Sequence, residues 1–153
     1  MTQKARDIMT RNVLVVGEDT SVSDLIRLFV EHKISCAPVM NEEGKLVGIV
    51  TKTDILGFFL DIDLDISVKE ALKNILEYYG EQSVTDLQPE SIVRNIMTPD
   101  PVTADVEATI QTLAQKMVEK NIHRLIITQD NHIRGIVSTL DILYHVAGIE
   151  KHG

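Results

Sequence analysis

One nine-residue stretch of this chain occurs twice, and this repeat limits the folds that the sequence can adopt. Residues 48–56 read GIVTKTDIL and residues 135–143 read GIVSTLDIL. In each copy an apolar run begins at a glycine and ends at a hydroxyl residue, and an aspartate follows three positions later. The pattern predicts a buried strand that leads into a helix, with the hydroxyl at the strand end and the aspartate in the first helical turn.

The sequence around the two copies repeats in the same order. The tripeptide Ile-Met-Thr at residues 8–10 returns at residues 96–98, which is an offset of 88 residues from Met9 to Met97. Each copy contains a predicted hairpin turn, at residues 41–44 in the first copy and at residues 129–131 in the second. After this turn the offset falls to 87 residues, from Gly48 to Gly135. A turn that is one residue shorter, with strands and helices kept in phase, is what a duplicated fold tolerates. The chain therefore contains two copies of one structural unit.

Hydrophobic periodicity gives the elements of that unit. The first copy is predicted to contain a short helical lead-in at 4–10, strands at 13–16, 37–40 and 46–51, an amphipathic helix from Ser21 to about His32, and a helix at 54–60. Ser21 is the expected N-cap, and with Asp24 it forms a predicted capping box. The unit is thus strand–helix–strand–strand–helix. Between the copies, residues 61–92 form an insert with an acidic start and a predicted helix at 67–79.

Composition excludes several classes of protein. The 153 residues are 44% hydrophobic and carry a net charge of −8, which argues against binding to a nucleic-acid backbone. The single cysteine, Cys36, excludes an intramolecular disulfide and fits a reducing compartment. The first residues lack the apolar segment of a signal peptide, and no run approaches the length of a membrane span. We therefore expect a cytoplasmic protein with no membrane partner.

The duplicated order resembles the cystathionine-β-synthase (CBS) domain, and two copies in one chain resemble the tandem pair called a Bateman module. The resemblance is carried by the Ile-Met-Thr lead-in, the amphipathic helix, the strand–turn–strand and the Gly-Ile-Val-[Thr/Ser]-x-x-Asp-Ile-Leu ending. It implies an α/β (α+β) fold in which two β-α-β-β-α repeats pack with pseudo-two-fold symmetry. The expected domains are a first CBS repeat at 1–60, an insert at 61–92 and a second CBS repeat at 93–148.

The resemblance also implies a ligand and the residues that bind it. CBS pairs bind adenine nucleotides or related ligands in clefts between the two repeats, and each cleft combines the Thr/Ser-x-x-Asp of one repeat with the first two strands of the other. One cleft would contain Thr51, Asp54, Thr98, Val102, His123 and Arg124. The other would contain Ser138, Asp141, Thr10, Leu14, Ser35 and Cys36. The expected ligand is AMP, ADP or ATP, with S-adenosylmethionine ranked behind them, and no cofactor is required.

The residue types suit that ligand on physical grounds. A hydroxyl and backbone N–H groups at a helix start can hold a phosphate, which the helix dipole favours. An aspartate one turn further on can accept hydrogen bonds from two ribose hydroxyls. Arg124 offers a planar cation with several donors, whereas its counterpart Cys36 carries no charge. We therefore expect the cleft with Asp54 and Arg124 to bind phosphate-bearing ligands more tightly.

Structural explanations compete with each of these assignments. Asp54 and Asp141 could serve only as helix caps, and the hydroxyls of Thr51 and Ser138 could only complete a strand end. Arg124 could pair with a surface acid such as Glu119, and His123 and Cys36 could be packing residues. The other histidines lack the spacing of a metal site, so none is expected.

The sequence contains no P-loop and no recognisable catalytic constellation. We therefore expect a non-catalytic regulatory or sensor module, a homodimer, whose nucleotide alters contact with a regulated protein. The alternative from another class is a structural interaction module whose ligand clefts are vestigial. An enzyme acting on adenine nucleotides ranks third.

Overall fold

The computed structural model describes residues 2–61 and 91–151. The helices are α1 (Ala5–Ile8), α2 (Val22–Glu31), α3 (Lys52–Asp61), α4 (Ile110–Lys120) and α5 (Thr139–Ala147), with a 3-10 helix at Val93–Asn95. The strands are β1 (Val16–Gly17), β2 (Cys36–Met40), β3 (Leu46–Thr51), β4 (Thr98–Pro99), β5 (Thr103–Asp105), β6 (Arg124–Gln129) and β7 (His132–Ser138). The predicted insert helix at 67–79 lies outside the described residues.

The mixed α/β class predicted from the sequence is confirmed, and each repeat has the expected element order. One sheet has the strand order β1-β2-β3-β4 and the other has the order β5-β6-β7. Strand β1 is parallel to β2, and β5 is parallel to β6, with a helix as the crossover in each case. Strands β2 and β3, and likewise β6 and β7, form antiparallel hairpins. The second hairpin turns at Asp130 and Asn131, which both adopt positive φ angles.

The chain divides into two compact units that do not follow the sequence repeat. The first unit is Leu14–Asp100, and the second unit combines Met1–Val13 with Pro101–Gly153. Each unit has its own apolar core. The first contains Leu25, Ile26, Phe29, Val39, Val50 and Phe59. The second contains Ala5, Leu113, Met117, Leu125, Ile127 and Val137.

Helix α2 shows why the predicted amphipathic pattern folds as it does. Its buried residues are Val22, Leu25, Ile26 and Phe29, which lie on one face. The Ser21 hydroxyl accepts a hydrogen bond from the Asp24 amide at 3.1 Å, as an N-cap should. The return bond of the predicted capping box is not formed, because the Asp24 carboxylate pairs instead with Arg27 at 3.1 Å.

The first strand is shorter than its apolar run predicts. The strand expected at 13–16 is observed only at Val16 and Gly17, which pair with Val39 and Met40. Val15 remains 38% exposed. A parallel strand is defined by its partner, and β1 meets β2 only at these two positions. The apolar run alone therefore did not determine the extent of the strand.

The lead-in of each repeat belongs to the compact unit of the other repeat. In the second unit the amide of Ala5 donates to the carbonyl of Ala108 at 2.8 Å. In the first unit the amide of Val93 donates to the carbonyl of Thr20 at 2.8 Å. Both donors and both acceptors are separated by the 88-residue offset of the repeat. The two lead-ins are thus exchanged reciprocally, which the sequence analysis did not predict.

Ionic contacts support both exchanged lead-ins. Arg6 pairs with Glu107 in the second unit. Arg94 pairs with Asp19 at 2.5 Å and with Glu18 at 3.2 Å in the first unit. The hydrogen bond to Glu18 and the negative charge of Asp19 raise the pKa of the Arg94 guanidinium above its usual value. Because Arg6, Glu107, Arg94 and Asp19 are exposed, the pairs among them contribute little to stability.

The glycine that begins each repeated motif makes room for the exchanged lead-in. A Cβ on Gly135 would lie 2.7 Å from the Thr10 carbonyl oxygen and 2.7 Å from the Met9 sulfur. A Cβ on Gly48 would lie 2.5 Å from the Met97 sulfur and 3.0 Å from the Thr98 carbonyl oxygen. The two tripeptides Ile-Met-Thr and Gly-Ile-Val therefore occur together in both copies for a packing reason. Met9 covers Gly135, and Met97 covers Gly48.

Candidate functional site

The aspartate of the second motif is held by a capping box at the start of α5. The Ser138 amide and hydroxyl donate to Asp141 Oδ2 at 2.7 and 3.0 Å, and the Asp141 amide donates to Ser138 Oγ at 3.2 Å. Asp141 is buried. These bonds fix the carboxylate at the helix start and satisfy donors that have no partner within the helix.

The first motif has the same geometry at the start of α3. The Thr51 amide and hydroxyl donate to Asp54 Oδ2 at 2.9 and 3.1 Å, and the Asp54 amide donates to Thr51 Oγ1 at 3.3 Å. The helix-cap role considered for both aspartates is therefore confirmed. Within residues 2–61 and 91–151, the second oxygen of Asp54, Oδ1, has no hydrogen-bond or ion-pair partner. A cap that uses one oxygen leaves the other for a ligand.

Each helix start is bordered by a further pair of predicted site residues. Cys36 is the cross-strand neighbour of Thr51, and the Ser35 carbonyl accepts from the Lys52 amide at 3.0 Å. The second unit has the same arrangement. Arg124 is the cross-strand neighbour of Ser138, and the His123 carbonyl accepts from the Thr139 amide at 2.9 Å.

The two borders differ in chemistry. One consists of the small side chains Ser35 and Cys36, and the other of the imidazole of His123 and the guanidinium of Arg124. Arg124 is half-buried and His123 is exposed. Ser35, Cys36 and Arg124 also take part in interactions within the protein.

The threonines of the two lead-ins lie beside the repeated strands. Thr98 pairs with Ile49 in the first unit, and Thr10 pairs with Ile136 in the second. Both threonines are exposed. Each is thus placed two strand positions from the motif hydroxyl of its own unit.

The last two predicted site residues contribute apolar surface. Leu14 is half-buried just before β1, and Val102 packs against the second core and accepts from the Ile126 amide at 3.4 Å. The two clefts predicted from the sequence each combine residues of both units. That grouping stays a prediction.

Lys151 is a site residue that the sequence analysis missed. Its ammonium donates to Asp141 Oδ1 at 2.6 Å and to the Thr10 hydroxyl at 2.7 Å. Both acceptors were predicted to contact a ligand. A cavity of about 410 Å³ adjoins this contact, and its lining includes Met9, Asp141, Tyr144 and Lys151. Only the helix-ending Gly148 signals in the sequence that the chain reverses here.

Two searches of the described residues bear on other site types. Among residues 2–61 and 91–151, no group of three or more His, Cys, Asp or Glu side chains could hold a metal ion. In that same part of the chain, no helix has both the length and the apolar character needed to cross a membrane.

Comparison with known families supports the repeat. The sequence model of the CBS domain matches residues 5–61 and again residues 93–148. The two matches cover both copies of the strand–helix–strand–strand–helix unit and omit the insert.

The chain is similar in sequence to proteins of Methanocaldococcus jannaschii. It is 37% identical to the uncharacterized protein MJ1426 over 152 residues, which cover 90% of this chain and 88% of MJ1426. It is 33% identical to the uncharacterized protein MJ1404 over 97% of this chain, but it spans only 33% of that longer protein.

Solved structures of CBS pairs share the fold. The AMP complex of CBSX2, a CBS-pair protein of Arabidopsis thaliana, matches with a TM-score of 0.71 and 24% identity over 97% of this chain and 99% of that chain. The CBS pair of protein MJ0100 in complex with 5-methylthioadenosine and S-adenosyl-L-methionine matches with a TM-score of 0.69 and 23% identity. That match covers 97% of this chain and 98% of the other.

Proposed function

Because the chain belongs to the CBS domain family and carries two CBS domains in tandem, we propose that it is a non-catalytic regulatory module that binds an adenine nucleotide. The observation that supports this most is the duplicated capping box. Each box fixes an aspartate at a helix start, and the Asp54 box leaves one carboxylate oxygen unused in the described part of the chain.

The geometry at Asp54 suits the two hydroxyls of a ribose. The bonds from Thr51 hold the carboxylate in one orientation, so little side-chain entropy remains to be lost on binding. An ionised carboxylate accepts charge-assisted hydrogen bonds, which are stronger than bonds between neutral groups. Asp54 is half-buried and its motif ends a strand, so a ligand can approach it from solvent.

The ligands of the structural neighbours have one group in common. AMP in CBSX2 and the methylthioadenosine and S-adenosylmethionine in MJ0100 all contain an adenosyl group with its ribose diol. An aspartate that accepts from the diol would serve any of them. In this chain the Arg124 guanidinium favours an anionic phosphate over the sulfonium cation of S-adenosylmethionine, and we therefore propose AMP, ADP or ATP ahead of S-adenosylmethionine.

We propose that the module acts as a homodimer whose surface changes when nucleotide binds. An exposed apolar row on α5 supports the dimer: Leu140 is 57% exposed, Leu143 56% and Val146 75%. Apolar residues at three-residue spacing form one stripe of a helix. Analytical ultracentrifugation of the purified protein tests the dimer. A molecular mass of one chain at every protein concentration would contradict it.

The second candidate function is an interaction module whose ligand sites are vestigial. One observation favours it: both aspartates already serve as helix caps, and both oxygens of Asp141 are occupied within the protein. In that case neither carboxylate is needed for a ligand, and the duplicated motif records only how the helices start.

Thermal unfolding with candidate ligands separates the two functions. With AMP, ADP or ATP at about 100 times the dissociation constant, binding to the folded state alone adds roughly 2.7 kcal/mol. For a chain of this size that raises Tm by several degrees. We expect a rise with at least one nucleotide and a smaller one with S-adenosylmethionine. Equal Tm values with and without every ligand would favour the interaction module.

Substitution of Arg124 tests the assignment of the phosphate contact. We expect Arg124→Ala to weaken AMP and ATP binding about tenfold, because one charge-assisted contact is lost. Adenosine has no phosphate, and its affinity should not change. Arg134→Ala is the matched control, since Arg134 is an exposed arginine of β7 that is assigned no role. Unchanged AMP affinity in Arg124→Ala would contradict the assignment.

A further inference from the structure

The two aspartates of the duplicated motif differ in what their second oxygen contacts. Asp141 Oδ1 accepts from the Lys151 ammonium at 2.6 Å, whereas Asp54 Oδ1 has no such partner among residues 2–61 and 91–151. The 87-residue offset of the motif places Leu64 opposite Lys151 in the sequence, and leucine cannot form an ion pair. Among residues 2–61 and 91–151, the cationic contact is therefore a property of one motif and not of the repeat.

Lys151 contacts two groups that a nucleotide would use. The same ammonium donates to Asp141 Oδ1 and to the Thr10 hydroxyl, which is 2.7 Å away. Asp141 is the proposed ribose acceptor of its motif, and Thr10 was predicted as a ligand contact beside it. With Asp141 Oδ2 bound to Ser138, both carboxylate oxygens are occupied. Oδ1 can accept two hydrogen bonds, so the ammonium leaves it one acceptor site where the two hydroxyls of a ribose need both.

The local backbone brings Lys151 to this position. Gly148 ends α5 with a left-handed φ of 67°, and the Ile149 amide donates to the Tyr144 carbonyl at 3.0 Å. This cap reverses the chain, so that the segment after α5 returns toward the first turn of the same helix. The Lys151 side chain is 43% exposed and Asp141 is 5% exposed. The lysine thus covers a buried carboxylate from the solvent side and can leave without disrupting a core.

We propose that Lys151 is an intramolecular latch that competes with the ribose of an adenine nucleotide for Asp141. The proposal rests on the proposed function, and it concerns the regulation of the second motif. The Asp54 motif binds nucleotide directly, and the Asp141 motif binds it only after Lys151 has moved away. The latch therefore makes the two sites of one chain unequal in affinity.

The latch is tested by calorimetric titration with AMP and with adenosine. The background variant is Asp54→Asn, so that the Asp141 site is measured alone. If the latched form exceeds the open form about tenfold, Lys151→Met tightens binding about tenfold, because the fraction of competent sites increases. The gain should be equal for both ligands, since the competition is for the ribose. Lys120→Met removes the same charge from an exposed lysine of α4 and should have no effect.

Thermal unfolding without any ligand tests whether the contact forms in solution. The Tm shifts of Lys151→Met and Asp141→Asn should not be additive in the double variant, because both remove the same ion pair. Additive shifts would overturn the latch. So would weaker AMP binding in Lys151→Met, which would make Lys151 a ligand contact. If AMP binds normally at the Asp54 motif and Lys151→Met has no effect, the latch is wrong and the proposed function stands. No binding of AMP or adenosine to any variant overturns the proposed function as well.

Discussion

Replacement of Gly135 by alanine is expected to lower Tm by about 6–12 °C, since it destabilises the fold by about 3 kcal/mol. The added Cβ would lie 2.7 Å from the Thr10 carbonyl oxygen. That oxygen cannot rotate away, because it accepts the Ile136 amide at 3.0 Å. The strand or the lead-in must therefore shift. Thermal or denaturant unfolding of the variant measures the loss.

Two other glycines provide controls for this prediction. Gly48→Ala meets chiefly the flexible side chain of Met97, with the Thr98 carbonyl oxygen at 3.0 Å, so we expect a smaller loss. Gly57 lies in α3, and no atom of the described residues lies within 4 Å of an added Cβ, so Gly57→Ala should raise stability by about 0.5–1 kcal/mol. If Gly135→Ala and Gly57→Ala have equal stabilities, the lead-in does not pack against Gly135.

Replacement of Asp54 by asparagine is expected to weaken AMP binding about 100-fold while leaving stability nearly unchanged. The asparagine oxygen can still accept from the Thr51 amide, so the helix cap is retained. The side-chain NH2 of asparagine takes the place of Asp54 Oδ1, and it cannot accept hydrogen bonds from the ribose hydroxyls. Two lost charge-assisted bonds account for the factor of about 100. Titration calorimetry measures the affinity, and thermal unfolding measures the cap.

Asp24 offers a matched control for the Asp54 substitution. It occupies the same position in the first turn of α2, three residues after the cap residue Ser21, and it is exposed. Asp24→Asn should leave AMP affinity unchanged. If Asp54→Asn binds AMP as well as Asp24→Asn does, then Asp54 is a helix cap and no more.

The sequence predicted most elements well because their patterns are local. Strand β3 was expected at 46–51 and is observed at Leu46–Thr51, since an apolar run bounded by a turn and a cap has little freedom. The N-cap at Ser21 was predicted for the same reason. The capping boxes at Thr51 and Ser138 follow from one short spacing, and so their aspartates could be identified in advance.

Features that depend on distant partners could not be predicted in this way. The repeat aligns Met9 with Met97, but periodicity does not say which strand each methionine covers. The exchange of lead-ins follows from contacts of Ala5 and Val93 with residues remote in the sequence. Lys151 lies ten residues beyond Asp141 and looks like an ordinary surface lysine. Its role depends on the reversal at Gly148, which the sequence signals only as a helix end.

The position of the ribose in a complex with AMP tests the central claim most directly. A crystal structure of the protein with AMP should place the ribose hydroxyls within about 3 Å of the Asp54 carboxylate, which is hydrogen-bonding distance. The Thr51 bonds to the other oxygen should persist. AMP bound with its ribose away from Asp54, or a saturated crystal with no AMP at this motif, would contradict the account.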